Sequence, residues 1–175
     1  MTVAFDAFSN ATEGTSTLSW THTPVGTPAG VIVFVADNAA GDEVTTVTYG
    51  GVGMTEVTGS PNLKATGEPA AVYSYFLGSG IPTGAQTVTV NVDGTGTTKA
   101  AVAITVTAAT TTVVQDTDVT INSDASTNPS ATLALGGNTC FVAEGFFSGL
   151  GALSNITPPA GWTSRACQFP LEPLQ

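Results

Sequence analysis

Apolar and hydroxylated residues alternate with a period of two along this chain, and no stretch keeps apolar residues at i, i+3, i+4 and i+7 over three helical turns. Between Gln86 and Val92, for example, Val88, Val90 and Val92 interleave with Thr87, Thr89 and Asn91. A period of two puts one residue set on each face of a pleated strand, so such a segment folds as a half-buried strand. The runs are short and are broken by turn signals every 8–12 residues, the spacing of a sandwich or barrel. The 31 threonines, set mostly among Val, Ala and Ile, favour the same outcome because β-branched side chains fit a pleated surface better than a helix. The expected fold class is all-β, an antiparallel β-sandwich of jelly-roll or Ig-like type with little or no helix.

The expected strands are Val3 to Phe8, Thr17 to His22, Gly30 to Ala36, Val44 to Tyr49, Met54 to Thr58, Ala71 to Leu77, Gln86 to Val92, Lys99 to Thr107, Thr111 to Gln115, Ala131 to Leu135, Cys140 to Phe147 and a short one around Trp162 to Arg165. Gly30 to Ala36 is apolar without interruption and reads as a central strand covered on both faces or at the heart of the sandwich. Gly50 and Gly51 permit the positive φ angles of a tight hairpin, which pairs Val44 to Tyr49 with Met54 to Thr58. Asp93-Gly94-Thr95-Gly96 carries the strongest hairpin signal in the chain and joins Gln86 to Val92 with Lys99 to Thr107. At 175 residues, with no linker-like segment, residues 1–168 read as one sandwich domain and residues 169–175, with two prolines in seven residues, as a surface tail.

Charge narrows the partners. Charged residues are 9% of the chain, and 13 Asp and Glu against 3 Lys and Arg give a formal charge of −10. Lys64, Lys99 and Arg165 are too few to neutralise a phosphate backbone, so nucleic acid is not an expected partner. An anionic membrane surface repels the chain for the same reason. No apolar run approaches the ~20 residues that span a bilayer. The N-terminus has neither the basic nor the apolar region of a secretory signal, so no cleavable leader is expected.

Candidate chemistry is sparse. His22, in Trp20-Thr-His22-Thr-Pro24, is the one histidine and faces the side of Trp20. It reads as a partly buried polar tip or a strand-end contact, not as the base of a hydrolytic triad, because no Gly-x-Ser-x-Gly elbow or His-Glu-x-x-His accompanies it. Glu144 is the one acid within an apolar strand, on the face of Val142 and Phe146, but no second carboxylate is placed beside it for glycoside cleavage. The acidic turns Asp37 to Glu43 and Gln115 to Asp118 offer oxygens that calcium could use, but without EF-hand spacing they read as solvated or turn-capping groups. Gly50-Gly51-Val-Gly53 lies in a hairpin, so it is no phosphate loop. Cys140 and Cys167 are too few for a disulfide framework or a zinc site, and nothing demands a bridge between them. Tyr49, Tyr73, Tyr75, Trp20 and Trp162 read as core rings, with a sugar-stacking platform as the functional rival. No catalytic, cofactor-binding or metal residue is assigned, no cofactor is expected, and the chain is not expected to be an enzyme.

Val3-Ala-Phe-Asp-Ala, Leu18-Ser-Trp-Thr-His22, Gly30-Val-Ile-Val-Phe-Val35 and Val44-Thr-Thr-Val-Thr-Tyr-Gly-Gly-Val-Gly-Met-Thr-Glu-Val57 together resemble a β-sandwich module of tailed-phage virion proteins and related surface proteins. Tyr75-Phe-Leu77, Pro82 to Val90 and Pro158 to Trp162 extend the likeness over roughly residues 3 to 165. Its signature residues belong to core and hairpins, so the resemblance implies architecture and carries over no catalytic position. The chain departs from the pattern after Trp162, where a Pro-containing stub replaces further strands. The expectation is a non-enzymatic capsid decoration protein, made in the host cytoplasm, that binds the major capsid protein on the outer shell and associates with itself, with a symmetric trimer among the assemblies open to it. The alternative is a tail-associated or surface adhesion module that binds host glycans.

Overall fold

The computed structural model describes residues 3–13, 17–38, 41–63, 71–93, 99–108 and 141–143. Ten strands fall within them: β1 (Ala4–Glu13), β2 (Leu18–His22), β3 (Gly30–Asp37), β4 (Val44–Tyr49), β5 (Val52–Gly53), β6 (Thr55–Glu56), β7 (Asn62–Leu63), β8 (Ala71–Leu77), β9 (Gln86–Val92) and β10 (Lys99–Thr107). The described residues contain no helix. All pairings are antiparallel, in a six-stranded sheet ordered β1-β10-β3-β8-β6, with β7 also on β8, and a four-stranded sheet ordered β2-β9-β4-β5. The fold is an all-β, sandwich-like pair of sheets.

Alternation explains how the sheets face each other. Val31, Val33 and Val35 of β3, Tyr73, Tyr75 and Leu77 of β8, and Ala101 and Ala103 of β10 form one wall of the core; Leu18, Val47, Tyr49, Val88 and Val90 form the other. Each fully buried valine or leucine contributes about 1.5–3 kcal/mol relative to exposure. β3 and β10 are also buried on their other face, through Phe34, Ala36, Ala100, Val102 and Val106. That double burial is what the uninterrupted apolar run at Gly30 to Ala36 requires of a central strand.

Two pairings differ from expectation. β9 and β10 do not form a hairpin: β9 pairs with β2 and β4 in one sheet, while β10 pairs with β1 and β3 in the other. The physical reason is that β10 is apolar on both faces and needs a central position. It finds one between long partners, from Ala4↔Thr107 to Glu13↔Lys99 on one side and from Lys99↔Asp37 to Val106↔Gly30 on the other. The Gly50-Gly51 turn does close a hairpin, with φ of 56° and 79° at the two glycines. Its returning strand, however, pairs with β4 only at Val52 and Gly53, and Met54 N–H closes it on Val47 O at 2.9 Å. Thr55 and Glu56 then cross to β8 in the opposite sheet. The first strand runs to Glu13 instead of ending at Phe8, carried by its ladder with β10. The expected strands at Thr111 to Gln115, Ala131 to Leu135 and Trp162 to Arg165, most of Cys140 to Phe147, and the tail at 169–175 lie outside the described residues.

Candidate functional site

Asp6, His22 and Tyr49 gather where β1 and β10 of one sheet face β2 and β4 of the other. β1 carries an irregularity between Phe5 and Ala7, so Asp6 has no place in the simple register of Phe5↔Val106 and Ala7↔Thr105. Bulges re-aim side chains in this way. The Asp6 carboxylate accepts from Gly26 N–H at 2.7 Å and Val25 N–H at 3.3 Å, and from the Thr105 hydroxyl at 2.8 Å. One side chain thus ties the β2–β3 connection to β1 and β10.

His22 is fully buried. Its Nδ1 lies 2.7 Å from Ser9 Oγ and its Nε2 lies 3.2 Å from Thr105 Oγ1. The Trp20 indole N–H donates to the same Ser9 oxygen at 2.8 Å. These contacts fix the tautomer by elimination. A carboxylate only accepts, so Thr105 spends its proton on Asp6 and must accept from His22 Nε2–H; Nδ1 is then the acceptor, and Ser9 donates to it. The result is a one-directional chain, Trp20 to Ser9 to His22 to Thr105 to Asp6, that crosses between the sheets. Tyr49 meets the imidazole edge-on, with ring centroids 6.1 Å apart at 64°.

Burial sets the electrostatics. It pushes the His22 imidazole below its ordinary value, and the Asp6 charge pulls the other way with smaller effect. Burial, with Asp6 adding to it, pushes the Tyr49 hydroxyl up to about 12. At neutral pH both rings are uncharged. Asp6 ends the chain with a negative charge and accepts three hydrogen bonds, which offset the loss of water around a partly buried carboxylate.

A second polar fixture lies across the same core. Tyr73 of β8 accepts from Glu43 N–H at 2.9 Å and Val44 N–H at 3.5 Å and donates to Gly41 O at 3.3 Å, holding the approach to β4 against the opposite sheet.

His22 does share a side with Trp20, as alternation requires, but it is wholly buried and bonded at both nitrogens, not a partly buried tip. Its partners carry no sequence spacing that marks them: Asp6, Ser9 and Thr105 reach it through a bulge and two separate ladders. Tyr49, Tyr73 and Tyr75 are core rings with at most 3% exposure, so three of the five rings considered for a sugar platform are unavailable to a ligand on the surface. Trp20 is half-buried. Asp37 is buried and meets Lys99, whereas Asp42 is exposed; no group of three His, Cys, Asp or Glu gathers among the described residues. Glu144, Cys140, Cys167, Trp162, Lys64, Arg165 and the turn at Gln115 to Asp118 lie outside the described residues. The chain matches no family model, no curated protein and no solved structure.

Proposed function

We propose that this protein is a non-enzymatic structural component of a phage virion, a decoration protein that binds the major capsid protein on the outer shell. The observation that carries the reading is how the polar chain is used: both His22 nitrogens, the Ser9 hydroxyl and the Thr105 hydroxyl are spent on holding two sheets together. Such a device gives cohesion, not turnover. The charge balance of −10 suits a place outside the shell, away from packaged DNA of the same sign. With 9% charged residues, the surface can pack against capsid subunits or further copies of itself while desolvating few ions, each of which costs several kcal/mol when buried unpaired. Binding to adjacent capsomers would add free energy that opposes rupture. Quantitative mass spectrometry of the virion tests the proposal. A copy number matching that of the capsid lattice supports it; absence from the particle, or a few copies confined to the tail, overturns it in favour of another role such as adhesion.

A further inference from the structure

Lys99 opens β10 and Asp37 closes β3, and the two are direct partners across the ladder. Both are fully buried, and Nζ lies 3.9 Å from a carboxylate oxygen of Asp37. On the same face, Val35, Ala101 and Ala71, the last paired with Asp37 from β8, have no solvent exposure, and the buried Tyr73 hydroxyl is near enough to feel the Asp37 charge. Glu13 pairs with Lys99 from β1, so three ionisable residues stand in one row of three adjacent strands. A desolvated ion pair is costly, and its cost is relieved if both charges disappear.

We propose that Lys99 and Asp37 condense to an intramolecular isopeptide bond that staples β3 to β10. The ammonium and the carboxylate already carry between them the atoms of an amide and one water. As Nζ gives up two of its protons, the bond from Nζ to the Asp37 carboxyl carbon forms, and one carboxyl C–O bond breaks as its oxygen leaves with those two protons as water. Nothing is oxidised or reduced, and no other reactant is required. A C–O bond is about 1.2 Å, so the carboxyl carbon is no further than about 5 Å from the nitrogen. Rotation of the lysine stem brings it to the reacting separation of about 3–3.5 Å, and strand pairing holds the two groups at high effective concentration. Exclusion of water then protects the amide from hydrolysis. The cross-link stands independently of where the protein works.

Intact-mass measurement of the full chain, purified under native conditions, tests the proposal. The expected result is a mass one water below that of the sequence, together with a branched peptide in a proteolytic digest that joins the segment holding Asp37 to the segment holding Lys99. Lys99→Arg restores the full mass. A wild-type chain at its full sequence mass with only linear peptides overturns the proposal. So does a water deficit that persists in Lys99→Arg, since a cyclised aspartate elsewhere would then account for it.

Discussion

Ser9 and His22 belong to different sheets, and their hydrogen bond of 2.7 Å closes the gap between them. Because Ser9 also accepts from Trp20 and His22 also donates to Thr105, each of the two groups has both of its roles filled. Removing either one leaves buried donors or acceptors unpaired, and an unpaired buried polar group costs about 1–3 kcal/mol.

Ser9→Ala is therefore expected to lower stability by about 1–3 kcal/mol, and His22→Phe, which keeps the ring volume but not the bonds, by a similar amount. The two changes are not additive. The double variant should lose about 1 kcal/mol less than the sum, because the second change no longer strands a partner. Denaturant unfolding of the four proteins measures the difference; strict additivity would show that the two side chains are not coupled.

Stability should fall with acid through His22. Its pKa is lowered in the folded protein from an unfolded value near 6.5, so below that pH the unfolded chain takes up a proton that the folded chain resists. The contribution is fully present above about 6.5 and is lost as the pH falls. Asp6, the charged group nearest the ring in this network, counters part of the shift. Thermal unfolding between pH 7.5 and about 5 should show a steeper decline for the wild type than for His22→Phe. Carboxylates elsewhere titrate alike in both proteins, so parallel curves would contradict the assignment.

Tyr73→Phe removes one hydroxyl that three backbone groups share, those of Gly41, Glu43 and Val44. The ring stays in place, so the loss is local and amounts to about 1–2 kcal/mol. Hydrogen exchange at the Glu43 amide should accelerate in the variant while the amides of β3 keep their protection. Unchanged exchange at Glu43 would show that the hydroxyl does not hold this segment.

Strands are legible in the chain because burial writes itself as period. β4, β8, β9 and β10 begin and end where the alternation and the flanking turn residues place them, and the two glycines of the β4–β5 turn adopt the positive φ their lack of a Cβ allows. Which strands neighbour one another is not legible in the same way. Asp93-Gly94 looks like a hairpin turn, yet a strand with two apolar faces gains more at the centre of the larger sheet than beside its sequence neighbour. The polar chain is invisible for a related reason. Asp6 enters it only because β1 bulges, and Ser9, His22 and Thr105 come from three strands in two sheets. The aspartate in the acidic turn at Asp37 to Glu43 reads as solvated until the ladder sets Lys99 opposite it.

The role on the shell is tested most directly by cosedimentation of the purified protein with expanded, undecorated capsids, followed by heating of the recovered particles. A decoration protein binds saturably at a fixed ratio to the major capsid protein and raises the rupture temperature above that of bare shells. A protein that stays in the supernatant at all concentrations, or that leaves the rupture temperature unmoved when bound, would contradict that role.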